Sequence, residues 1–329
     1  MKIDQPVRPA RVRPAGVRTS GVRMARVRMA RGLLRPVLGL RAARFCLLAM
    51  FVLPGMPPQE AWAGGPGSPA DPADQGGSGG PGGPGGPADP SEEKGLQIAQ
   101  DARQQDEGFG NFSAGMTMVL RNKKGQESTR EVRVKVLEAE GDGNKSLFVF
   151  DQPRDARGTA LLIHGHKDRP DDQWLYLPAL KRVKRISSSN RSGSFMGSEF
   201  TYEDMTVQEV EKYTYRYLRD EPCGDGLDCV VTERIPVEKG SVYRRQLVWR
   251  DKSAHRVWKV EYYDRKDAHL KTLTLGEYRQ YLDRYWRAGS MAMVNHLTGK
   301  STDLVWTDYQ FGTDIDDRDF TRTGLRRVR

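Results

Sequence analysis

From Phe109 onward, apolar residues recur at every second position. Met116, Met118 and Leu120 alternate with Thr117 and Val119, and Val132, Val134 and Val136 alternate with Arg133 and Lys135. A period of two sends successive side chains to opposite faces, the mark of a half-buried strand. Tyr213, Tyr215 and Tyr217 share a face by this count, as do Trp258, Val260 and Tyr262. Leu147–Phe150 is continuously apolar, and Met291 with Met293, then Leu304 with Trp306, supply later strands. Asn122–Gly125 and Leu297–Lys300 read as hairpin turns. One short helix precedes the strands. Ser91 serves as its N-cap, Glu92 and Glu93 follow, and Leu96–Ala102 carries a thin apolar face suited to lying over a sheet. The pattern predicts a meander of antiparallel strands with little room for crossover helices. A sheet this long twists and curls into a sandwich, a barrel or a half-barrel.

Composition changes the picture only at the N-terminus. The 329 residues carry a formal charge of +10, which by itself would suggest a nucleic-acid partner. Residues 1–63 hold twelve Lys or Arg and two Asp or Glu, so the remainder is balanced at 41 of each sign. A balanced body has no broad footprint for phosphate backbones, and no nucleic-acid partner is expected. The first 63 residues read as a signal peptide with a long basic n-region, an apolar stretch at Phe45–Leu53 and a small-x-small site at Ala61-Trp62-Ala63. That apolar stretch is shorter than the ~20 residues a spanning helix needs. Gly64–Pro90 is Gly/Pro-rich and reads as a disordered linker, too poor in apolar side chains to offset the entropy of ordering it. Residues 91–329 form the folded domain, long enough for one substantial core. Cys223 and Cys229 flank a Gly-Asp-Gly turn, and an even pair in an exported chain reads as a disulfide.

Candidate chemistry concentrates in Arg157–Met205. Ala160–Gly165 resembles the oxyanion strand of α/β-hydrolases, but Gly193–Gly197 places its serine one position too early for a nucleophile elbow. His164, His166 and Asp168 resemble part of the zinc motif of metallo-β-lactamase-like hydrolases, with Arg169 where a further histidine belongs. A catalytic zinc needs three protein ligands, and a cation beside it is unfavourable. A metal-assisted hydrolase is therefore the alternative reading, and a non-catalytic envelope protein that binds a partner is a third. Lys181, Arg182, Lys184 and Arg185 put charge on both faces of a strand, which suits an exposed edge or rim.

Taken whole, the stretch has a distinctive order. Gly158-Thr159-Ala160 opens a strand, Trp174–Leu180 and Lys181–Ile186 follow, and Ser194-Phe195-Met196-Gly197-Ser198-Glu199-Phe200-Thr201-Tyr202-Glu203-Asp204 closes it. In these segments the chain is similar to the LolA-like outer-membrane lipoprotein-sorting protein family, from about Gln97 onward, with Glu199 where the family carries aspartate. The resemblance selects a mainly β (α+β) fold, a curved antiparallel sheet forming a half-barrel with a helical lid. It implies a periplasmic, non-enzymatic carrier without cofactor or metal. The partners it implies are a hydrophobic lipid or lipoprotein acyl chain, an inner-membrane transporter and, in passing, the membrane itself. Trp174, Tyr176, Phe195, Met196, Phe200 and Tyr202 are expected to border the ligand entrance, because glycines bracket large apolar side chains there.

Overall fold

The structure is a computed structural model that describes residues 89–328. The expected signal peptide at 1–63, all but the last two residues of the expected linker, and Arg329 lie outside the described residues. The chain runs through α1 (Pro90–Asp106), β1 (Asn111–Arg121), β2 (Glu127–Leu137), β3 (Lys145–Gln152), β4 (Ala160–His164), β5 (Asp172–Leu177) and β6 (Arg182–Ile186). After a long irregular segment come β7 (Tyr213–Cys223), β8 (Leu227–Pro236), β9 (Tyr243–Asp251), β10 (Val257–Asp264) and β11 (His269–Gly276). A small hairpin of β12 (Arg279–Tyr281) and β13 (Tyr285–Arg287) precedes β14 (Ser290–Asn295) and β15 (Ser301–Phe311).

Thirteen strands form one curved antiparallel sheet in the order β6-β5-β4-β3-β2-β1-β15-β14-β11-β10-β9-β8-β7, which does not close into a barrel. Among the described residues only β1 with β15 joins strands distant in sequence, so nearly every pairing is a local hairpin. The turns at Asn122–Gly125 and Leu297–Lys300 join β1 to β2 and β14 to β15. Among the described residues no helix is long and apolar enough to cross a membrane.

Alternation delivers the core. Met116, Met118, Val132, Val134, Phe148 and Phe150 all face inward and are buried in one cluster. Leu147 and Val149 point outward, where Ile315, Phe320 and Leu325 of the C-terminal segment cover them. That cover explains the unbroken apolar run in β3, a strand buried on both faces. A third cluster, Cys229, Val231, Leu247 and Trp249, occupies the outer face at the other end. There the Cys223–Cys229 disulfide links β7 to β8, with Cα atoms 5.7 Å apart.

Two local expectations shift. The helix begins at Pro90, and Asp89 rather than Ser91 is its cap, accepting from the Ser91 amide at 2.9 Å. Proline suits the first helical position because it has no N–H to leave unsatisfied. Trp258 does not share a face with Val260 and Tyr262. The register of β10 on β9 slips between Val257 and Lys259, and this bulge turns Trp258 outward onto the disulfide cluster.

Candidate functional site

Two elements cover the inner face. The irregular segment 187–212 contacts β3, β9, β11 and β14. Phe195 is fully buried, with ring centroids 5.7 Å from Phe150, 6.1 Å from Phe148 and 5.8 Å from Tyr202. Asp204 anchors the same segment from beneath. Its carboxylate accepts from the Thr201 amide at 2.7 Å, from the Tyr243 hydroxyl at 2.8 Å and from the Lys271 ammonium at 2.5 Å. Lys271 is 2% exposed and also donates to the Glu199 carbonyl at 3.1 Å. The Glu199 carboxylate accepts from Asn295 at 2.7 Å, and Glu203 accepts from Ser241 at 2.5 Å and from the Val242 amide at 3.1 Å. The run from Ser198 to Asp204 is thus a plug bolted to the sheet by charge-assisted hydrogen bonds.

Over the far end of the sheet lies α1, against β7. Gly95 permits the approach, since a Cβ there would come within 2.8 Å of the Arg216 and Tyr217 backbone. Only Gly95 and Ala99 of the helix are buried. Its C-terminal end is held by polar contacts. Arg284 donates to the carbonyls of Gln104 and Gln105 at 3.0 and 3.2 Å, Arg287 pairs with Asp106 at 2.5 Å, and Arg103 meets Glu209 at 3.4 Å. Cations at a helix C-terminus also complement the helix dipole. Glu209 is fully buried, and burial raises its carboxyl above the ordinary range.

Between α1, β7–β9 and the β12–β13 hairpin is a cavity of ≈ 270 Å³. Ile98, Ala102, Val248, Val257 and Trp286 give it apolar walls, while Arg234 and Arg250 enter from β8 and β9. Arg234 donates to Gln246 Oε1 at 2.8 Å and stacks 4.8 Å over Tyr213; Arg250 donates to the His255 carbonyl at 2.9 Å. Burial, with Arg234 nearby, pulls the Arg250 guanidinium down to about 10, so it stays charged at neutral pH. A second cleft of ≈ 380 Å³ runs along the other flank of α1 at Leu96, Gln100 and Tyr213.

The expected entrance residues do not gather at this cavity. Phe195 and Phe200, 0% and 3% exposed, belong to the core, with Met196 and Tyr202 packed beside them. Trp174 and Tyr176 lie on the opposite, outer face, in register with Leu162 and Ala160. The reason is alternation: in β5 it is Leu175 that faces inward. The glycines around Phe195 serve a tight turn, with φ positive at Met196 and Gly197, rather than a mobile mouth. Trp174 instead borders an outer cleft with Arg185, Arg322 and Arg326. Lys181, Arg182, Lys184 and Arg185 are exposed on or beside β6, an edge strand, and Arg185 pairs with Asp172.

The histidines are held apart by separate partners. His164 Nε2 lies 2.8 Å from the Phe320 carbonyl on the outer face, with the ring edge-on to Trp174. His166 Nδ1 lies 2.7 Å from Asp142, and Asp168 is exposed. Burial pushes the Asp142 carboxyl up, but the His166 and backbone hydrogen bonds outweigh it and bring it down to about 2. Among the described residues no group of three or more His, Cys, Asp or Glu side chains is placed to hold a metal ion. Sequence reasoning missed Arg234 and Arg250. Their signal was an arginine in the inward phase of each strand, after Val230 and Thr232 in β8 and after Gln246 and Val248 in β9.

Comparison with known proteins covers most of this body. A family model described as "Uncharacterized protein" matches residues 142–327. An outer membrane lipoprotein-sorting protein domain from Vibrio parahaemolyticus is 56% identical, with 71% of this chain and 99% of that chain covered and a TM-score of 0.70. A DUF1329 family protein from Desulfovibrio piger is 29% identical over 71% and 99%, at a TM-score of 0.67. A LolA superfamily protein from Nitrosomonas europaea shares the fold at 21% identity, over 70% and 98%, with a TM-score of 0.57. No curated protein matches.

Proposed function

Because the chain belongs to the LolA-like outer-membrane lipoprotein-sorting protein family, we propose that it is a periplasmic carrier. It shields a lipoprotein acyl chain, or another hydrophobic lipid, in transit between membranes. The observation that carries this reading is the partly open cavity of ≈ 270 Å³ between α1 and the inner face of β7–β9. Burial drives the binding, at about 0.8 kcal/mol per CH₂ removed from water. The cavity lies just below the ~300–1,000 Å³ typical of small-molecule sites, so α1 has to move to admit a chain. The helix is built for that. Its buried contacts are two small residues, and Arg284 holds its last carbonyls at exposed positions where water can replace it.

In this reading residues 1–63 are removed on export, residues 64–90 tether the body, and an inner-membrane transporter is the partner at which α1 opens. The carrier does no chemistry of its own. The test is extraction of lipid from protein purified out of its own periplasm, followed by mass spectrometry. Acyl species near one equivalent per chain are expected. A protein that releases none, after purification without detergent, is not a carrier.

A further inference from the structure

We infer that the cavity beneath α1 receives the anionic end of an amphiphile, a carboxylate or phosphate joined to an alkyl chain, with Arg234 and Arg250 as its counter-charges. The inference rests on the carrier reading and narrows its ligand. A neutral acyl chain would need only the apolar walls, and the cavity offers more than these.

The argument starts from charge. The cavity is lined by five arginines and one carboxylate, Asp106. Three of the five are occupied: Arg287 by Asp106, Arg103 by Glu209, and Arg284 by the last carbonyls of α1. Arg234 and Arg250 have no ion pair among the described residues. Each makes one hydrogen bond to a neutral acceptor, Gln246 Oε1 and the His255 carbonyl. A guanidinium carries five N–H donors, so each keeps donors that no protein carboxylate accepts. Buried charges are ordinarily paired, because breaking or omitting the partner leaves an uncompensated ion in a poor solvent. Arg234 is 8% exposed and Arg250 half-buried, and two cations without a carboxylate on one wall favour a ligand that neutralises them.

Geometry points the same way. Thr232 and Val248 face each other across β8 and β9, with Arg234 two residues beyond on one strand and Arg250 two residues beyond on the other. In the antiparallel pair these extensions run in opposite directions, so the arginines reach in from two sides of one frame about 13 Å long. His255 adds a buried Nδ1 with no partner on the same wall. Forked guanidinium donors match the planar oxygens of carboxylate and phosphate. Ile98, Val248, Val257 and Trp286 continue the wall as apolar surface for the chain.

The experiment is calorimetric titration of the exported, delipidated protein with laurate, dodecanol and inorganic phosphate, repeated on Arg234→Gln and Arg250→Gln. Laurate is expected to bind at least tenfold more tightly than dodecanol, and phosphate weakly. Either substitution should erase the preference by weakening laurate tenfold or more while leaving dodecanol unchanged. The melting temperature of Arg234→Gln should equal or exceed the parent, because a buried charge without a carboxylate partner is removed. Equal affinity for laurate and dodecanol overturns the inference and leaves the carrier reading standing. Phosphate binding as tightly as laurate, or no binding by either amphiphile, overturns both. Should one variant fail to fold, the other gives the same readout.

Discussion

Replacing Phe195 by alanine tests whether the 187–212 segment is a fixed plug or a mobile rim. The side chain is 0% exposed and touches three aromatic rings at centroid separations of 5.7 to 6.1 Å. Truncation removes the transfer free energy of a benzyl group and leaves a void that Phe148 and Phe150, themselves in the core, cannot collapse to fill. Phe→Ala in such a setting costs about 3–5 kcal/mol. For a body of this size each kcal/mol lowers the melting temperature by about 2–4 °C, so a drop of about 6–20 °C is expected. Urea titration at 25 °C and a thermal melt would measure it, with Phe195→Leu as a control that keeps most of the volume and loses far less. The cavity under α1 is lined by other residues, so amphiphile affinity should be unchanged at temperatures where the variant is folded. A loss below about 1.5 kcal/mol, together with weakened amphiphile binding, would refute the plug and restore Phe195 to the entrance.

Two further outcomes follow from buried charge. Lys271→Met leaves Asp204 buried without its cation and should cost about 3–5 kcal/mol, with the double variant Lys271→Met/Asp204→Asn recovering part of it; additive losses in that cycle would show that the two groups do not act as a pair. Asp251 is 0% exposed, and although burial pushes its carboxyl up, hydrogen bonds from Arg256, Ser253, Ala254 and Trp258 bring it down from 3.8 to about 2. A carboxyl lowered in the folded state stabilises fully above the unfolded value, here about 2 kcal/mol, and that stability is lost as pH falls from about 4 to about 2. The urea midpoint of Asp251→Asn should therefore lie below the parent at pH 7 and converge on it towards pH 2; a gap that stays constant across that range would refute the assignment.

The alternation of Met116–Leu120 and Val132–Val136 determined the strands and their inward faces, because a period of two has only one way to bury its apolar half. The Gly-rich turn between Cys223 and Cys229 likewise placed a hairpin and its disulfide, a contact local enough to be read from seven residues. The order of segments from Gly158 to Asp204 was enough to select the half-barrel, which periodicity alone left open. What the sequence could not decide was which apolar groups are core and which line a cavity. Phe195 and Trp174 are both large, flanked by turns and close in sequence, yet the sheet passes between them. One extra residue at Trp258 reversed its face, a slip invisible in a run of alternating side chains. Arg234 and Arg250 became a site only when β8 paired with β9 and α1 closed over them. A charge in the inward phase of a strand is a local fact. Whether it meets a carboxylate, water or an empty space depends on what tertiary packing brings opposite it, and here that is a helix with only Gly95 and Ala99 buried, which leaves the space unfilled.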